Sequence, residues 1–129
     1  MASADKKVHW ARASYDHRRD SKAVGTVVLR GDRLPAGAII LDSLIHVHQA
    51  PDSADDTATI ALGAESSTTL QAATAVSGAP WSTTGAKRGA IDADTAPVIT
   101  TKARNITATI AVQAITAGKF TVYVRYLKP

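Results

Sequence analysis

The sequence predicts an all-β protein: an antiparallel β-sandwich, jelly-roll-like, of about seven or eight strands with an extended N-terminal arm. Three observations carry this reading. No window of about ten residues or more keeps a helical repeat of apolar positions. Short runs alternate apolar and polar residues instead, the pattern of a strand with one buried face. Between these runs stand Gly, Pro, Asp and Ser, the residues of turns. The nearest rival to a helix is "AESSTTLQAATAV", whose alanines tolerate one and whose Ser and Thr cluster argues against it.

Residues 1–20 hold no sustained period and carry scattered charge, so they read as a basic arm, with a short strand around Val8 to Ala13 as an option. Residues 21–129 read as the single sandwich domain, and removal of the arm is expected to leave that domain folded. Val24 to Leu29 is a β-branched run. "RGDRLPAG" follows as a connection punctuated by Pro35 and Gly37. In "AIILDSLIHVHQA", period two groups Ile39, Leu41, Ser43, Ile45 and Val47 on the face expected to be buried, with Ile40, Asp42, Leu44, His46 and His48 opposite. "TATIAL" places Ala58, Ile60 and Leu62 on one side, and "STTLQAAT" is a shorter strand. The segment "AVSGAPWSTTGAKRGAIDADTAP" is too polar for a core element and is expected to wrap the domain or project as a loop. "PVITT" is a short strand. "NITATIAVQA" sets Ile106, Ala108, Ile110 and Val112 on one face, and "KFTVYVRYL" turns Phe120, Val122, Val124 and Tyr126 inward. With "ITAG" between them as a turn, these two runs read as a hairpin.

A chain of 129 residues suits one domain with a modest core. No stretch approaches the roughly eighteen apolar residues of a membrane helix. The opening "MASADKKVHWARASYDHRRDS" lacks the apolar run of a signal peptide. The absence of cysteine excludes disulfides, thiolate catalysis and cysteine-ligated metals. Residues 1–33 hold eight Lys or Arg against four Asp, a net of +4 that equals the formal charge of the whole chain. Such a basic segment suits an acidic protein surface or a nucleic acid. Aspartates dilute it, and no specific nucleic-acid partner is expected.

Little in the chain proposes chemistry. His46 and His48 share a strand face, but no carboxylate continues their spacing, so they read as surface residues rather than metal ligands. Asp52, Asp55 and Asp56 share a loop, as do Asp92 and Asp94, yet neither loop has the glycine and closing glutamate of a calcium loop. There is no Gly-x-Ser-x-Gly elbow, and Glu65 is the single glutamate. We expect no enzyme, no catalytic residue, no metal and no cofactor. Arg30-Gly31-Asp32 matches an adhesion tripeptide and more simply supplies a turn before Pro35. What remains is surface. Trp10 and Tyr15 with Arg12, Arg18 and Arg19 make an aromatic-basic set suited to an interface, and Trp81 either plugs the sandwich or docks on a neighbour.

Three stretches, "LPAGAIILDSLIHVH", "TATIALG" and "ITAGKFTVYVRYL", together resemble the small β-sandwich decoration (cement, or head auxiliary) proteins of tailed bacteriophages. In that group a Leu-Pro-x-Gly-Ala opening leads into a long apolar strand, followed by a Thr/Ala-rich strand and a closing "TAG-K-x-x-V-x-V-x-Y" strand. Here these are Leu34 to Ala38, Ala58 to Gly63 and Thr116 to Tyr126, so the resemblance spans residues 22–127 and leaves the arm out. It implies a homotrimer on the outer surface of the expanded capsid, made in the host cytoplasm and carried on the virion. Its partner would be the major capsid protein, with no membrane involved. Trp10, Arg12, Tyr15, Arg18, Arg19 and Trp81 would be the capsid or subunit contacts. The rival expectation is a carbohydrate- or receptor-binding sandwich of a virion fibre or tail, with Trp81, Asp92 and Asp94 as its site. A nucleic-acid-binding β domain using the N-terminal charge is a third.

Overall fold

The computed structural model describes residues 8–91 and 98–128. Among them there is no helix, and nine strands pair antiparallel throughout. The strands are β1 (Val8–Asp16), β2 (Gly25–Leu34), β3 (Ile39–Ser53), β4 (Thr59–Gly63), β5 (Gln71–Ala75), β6 (Gly85–Arg88), β7 (Val98–Ile99), β8 (Arg104–Ala111) and β9 (Ile115–Leu127). One continuous sheet runs β5-β4-β8-β2-β1-β9-β3-β6, with β7 on β3 beside β6. It curls over on itself into a sandwich-like fold, with β6-β3-β9-β1 as one layer and β2-β8-β4-β5 as the other.

The curl turns at β2. Its ends pair with β8, Gly25 to Val28 against Ile110 to Thr107, and Arg33 and Leu34 against Asn105 and Arg104. Between them the strand bulges, and there Arg30 and Gly31 pair with Ser14 and Ala13 of β1. Gly31 has φ +145, and a Cβ on it would collide with the backbone of Arg12 and Ala13. Only glycine serves there, in conformation and in space. The tripeptide Arg30-Gly31-Asp32 is thus part of a strand and not the expected turn. Arg30 makes two 3.0 Å bonds to Asp20, and Asp32 accepts the Arg12 amide at 3.0 Å.

Each strand contributes its apolar side to one core. Ile45 and Val47 of β3, Ile60 and Leu62 of β4, Ile106 and Ile110 of β8, and Phe120, Val122 and Val124 of β9 are all buried. Tyr15 and Phe120 stack at 5.2 Å, and Trp81 leans on Phe120 at 4.9 Å, so one aromatic column crosses the layers. Its polar atoms are satisfied: Trp81 Nε1 donates to Ile60 O at 3.3 Å and the Tyr15 hydroxyl to Ser21 O at 2.8 Å. Burial, with Asp20 and Asp16 nearby, pushes the Tyr15 phenol to about 12. The free edges β5 and β6 are tied together. Gln71 accepts the Ala90 amide at 2.9 Å, and Ser43 donates to Leu70 O at 3.2 Å.

Four further expectations change. The arm is replaced, over Val8–Asp16, by a strand that pairs with β9 along its whole length and with β2 at Ala13 and Ser14; residues 1–7 lie outside the described residues. Its backbone is held by the β9 ladder, by β2 at Ala13 and Ser14, and by the Asp32 and Asp20 carboxylates, which accept the Arg12 and Asp16 amides; scattered charge in the sequence conceals this. In β3 the bulge between Ile40 and Asp42 shifts the alternation by one. Ile40 is therefore buried while Ile39 and Leu41 face out. The polar segment after β5 holds β6 and the buried Val76 and Trp81. Finally, β8 and β9 form no hairpin: β8 pairs with β2 and β4, β9 with β1 and β3, in opposite layers. The chain arches between them at Val112, with φ 73 and 71 % exposure, and "ITAG" belongs to β9 itself.

Two outcomes are expected. A chain lacking residues 1–20 loses a central strand, so its cooperative thermal transition by circular dichroism should vanish; a retained transition would show that β2 and β9 can close the sheet without β1. Gly31→Ala should lower stability in urea by about 3 kcal/mol with the slope unchanged.

Candidate functional site: the outer face of the β1-β9-β3 layer

Cross-strand register assembles this face from residues far apart in sequence. At one end Ile99, Ile39, Leu127 and Val8 lie side by side on β7, β3, β9 and β1. The next row is Asp42, Arg125 and Trp10. Then come Arg88, Leu44, Tyr123 and Arg12, and beyond them Ala86, His46, Thr121 and Ser14. Among the described residues, four of the seven exposed large hydrophobic side chains, Val8, Trp10, Leu41 and Ile99, stand on or beside it. Trp10 is 51 % and Ile99 54 % exposed. An apolar row of this kind, edged by arginine, tyrosine and tryptophan, has the composition of an interface centre and its rim.

The electrostatics of the face turn on Asp42. Its carboxylate takes the Arg88 guanidinium at 2.7 Å, and Arg125 stands 4.0 Å away. One carboxylate therefore holds two cations while Arg12, two strands away on the outer surface, adds a third. The face is net positive and complements an acidic surface. Arg125 Nε is buried without a hydrogen-bond partner, leaving its donors incompletely used.

His46 and His48 do share this face, their ring centroids 4.3 Å apart. His48 Nε2 bonds Thr121 Oγ1 at 3.0 Å, and that hydroxyl also meets Ser14 Oγ at 3.2 Å. Among the described residues no group of three His, Asp or Glu could hold a metal. Asp52 and Asp56 hydrogen-bond one another, which raises the Asp56 carboxyl above its usual range. Asp92 and Asp94 lie outside the described residues.

The residues expected as contacts divide into three places. Trp10 and Arg12 are exposed on the outer face. Arg18 and Arg19 are exposed in the turn after β1, about 20 Å from Trp10 at strand spacing. Tyr15 and Trp81 are 1 % and 0 % exposed and have no surface to offer a partner; the core claims both. The expected set therefore does not converge. Leu44, Arg88, Ile99, Tyr123 and Arg125 were not among the expected contacts, although alternation along β9 already turned Tyr123 and Arg125 outward.

No protein-family model matches this chain, and no curated protein matches it either. Solved structures do. A chain of the cyanophage Pam1 capsid asymmetric unit is 21 % identical with a TM-score of 0.72, over 100 % of this chain and 90 % of that one. A chain of the capsid of Ralstonia phage GP4 is 14 % identical with a TM-score of 0.65, over 100 % and 89 %. One from the acid-stable capsid of Helicobacter pylori bacteriophage KHP30 is 16 % identical with a TM-score of 0.64, over 96 % and 90 %. At these identities the likeness is one of fold.

The histidine pair makes a prediction. Burial, then His46 and Lys119, lower the His48 imidazole below the ordinary range. The folded protein thus binds this proton less tightly than the unfolded chain does. The resulting penalty is absent at pH above about 7 and grows as pH falls through the histidine range. An NMR titration should place His48 below about 6.5, and His48→Gln should flatten the loss of stability between about pH 7 and 5. A midpoint above 6.5 would contradict the pairing.

Proposed function

We propose that this chain is a non-enzymatic structural protein of a bacteriophage virion. In this reading it binds the outer surface of the expanded capsid as a homotrimer and stabilises contacts between major capsid protein subunits. The observation that carries the proposal is the end-to-end fold likeness to chains found in three phage capsid structures. The outer face supports it, since an apolar row with arginines and a half-exposed tryptophan suits an acidic protein surface.

The mechanism is linkage. A protein that binds one assembled state stabilises that state by mass action. Symmetric copies on one trimer would multiply modest single contacts. Trp10 and Arg12 act on the outer face, and Arg18 and Arg19 reach a second neighbour from the far turn. The fibre or tail reading loses its first-choice site, because a Trp81 sealed in the core cannot stack on a sugar.

The test is co-sedimentation of the protein with expanded and with unexpanded shells. Saturable binding to expanded shells alone, in multiples of three per lattice site, is expected. Trp10→Ala should weaken it about tenfold, as an interface anchor does. Binding to neither shell would overturn the proposal, and binding to soluble glycan would favour the fibre reading.

A further inference from the structure

A second feature lies at the mouth of the sandwich, where β1 begins and β2 and β9 end. A cleft of about 320 Å³ is lined by His9, Arg33, Leu34, Pro35, Ala103, Tyr126 and Lys128. We propose that it binds a carboxylate carried on an apolar stem, as an acidic side chain of a partner protein presents it. The proposal does not rest on the virion reading.

The lining has two parts. Leu34, Pro35, Ala103 and the Tyr126 ring give an apolar floor, and Arg33, Lys128 and His9 supply donors; no carboxylate is among them. His9 and Tyr126 are cross-strand partners whose rings stack at 5.6 Å, which fixes both side chains on the inner side. Nearby acids are engaged elsewhere. Asp32 turns to the Arg12 amide. Glu65 is held by Arg104 at 2.8 Å and by the Thr101 amide and hydroxyl, and these bonds, led by Arg104, lower its carboxyl. Among the described residues Arg33 and Lys128 have no acidic partner, whereas Arg30, Arg88 and Arg104 each have one.

The wall is prepared in advance. The buried Thr100 hydroxyl donates to Pro35 O at 2.6 Å and accepts the Ala38 amide at 2.9 Å. Two backbone bonds, Gly37 N to Thr100 O and Thr100 N to Ala38 O, close the same loop. A wall that needs no reordering limits the entropy lost on binding to the donor side chains. Its volume sits at the small end of ligand pockets, about 300–1,000 Å³, and suits one or two side chains better than a polymer backbone. Arginine beside an apolar floor selects a planar carboxylate with a greasy stem over a hydrated inorganic anion.

The experiment is an amide chemical-shift titration of the full chain with three probes: acetyl-leucyl-glutamyl amide, acetyl-leucyl-glutaminyl amide and inorganic phosphate. The acidic peptide should give saturable shifts confined to Arg33, Leu34, Ala103, Tyr126 and Lys128, with the glutaminyl peptide about tenfold weaker. Arg33→Gln combined with Lys128→Gln should bring the acidic peptide down to that level while the rest of the spectrum stays in place. Equal binding of the two peptides, phosphate as tight as the acidic peptide, or shifts spread away from the cleft would each overturn the proposal.

Discussion

The close approach of β1 to β2 at Gly31 governs the rest of the architecture. A single strand, β2, is hydrogen-bonded to β8 at its ends and to β1 at its bulge, so it belongs to both layers. That pairing is possible because nothing projects from Gly31 into the Arg12 and Ala13 backbone. Once β1 is seated, β9 pairs with it along its whole length, and β3 pairs with β9. The layer bearing the outer face is therefore built outward from one glycine. The aromatic column then fixes the spacing of the layers, with Tyr15 from β1, Phe120 from β9 and Trp81 from the segment between β5 and β6.

Much of this was legible where a strand kept strict alternation. Phe120, Val122 and Val124 point inward as their spacing requires, and so do Ile106, Ala108 and Ile110. Legibility failed where one extra residue entered a ladder. The bulge at Ile40 and Asp42 is invisible in a run of apolar residues, yet it decides which of Ile39 and Ile40 is buried. The missed arch has a similar origin. Two alternating runs with a turn between them describe a hairpin and an arch equally well, and only the positions of β1 and β2 decide which forms.

The outer face was harder to read, for a geometric reason. Val8 and Leu127 are neighbours across a ladder, as are Ile39 and Ile99, and sequence separation hides both pairs. Aromatic residues misled in the other direction. Tyr15, Trp10 and Trp81 look alike in composition, being apolar bodies with polar tips. Two satisfy their tips inside the protein and one remains outside. Burial of an amphipathic ring depends on whether an acceptor such as Ser21 O or Ile60 O waits in the core, and that acceptor belongs to the fold.

A face carried on paired strands bears on how the proposed role would work. Its backbone is held by the ladders, so little backbone freedom remains to be lost on docking. Asp42 gathers Arg88 and Arg125 into one orientation, which favours an acidic target while keeping the cations from collapsing onto the face. The apolar row is four side chains wide, enough for a modest contact rather than a tight one. Modest contacts suit a lattice binder. A single tight contact would hold free subunits and immature shells as firmly as the expanded one. Several weak contacts on a symmetric oligomer add up only where the target presents all its sites at the matching spacing. Selectivity for the expanded lattice would then reside in the spacing of the copies, and the weakness of each face would be what makes that spacing count.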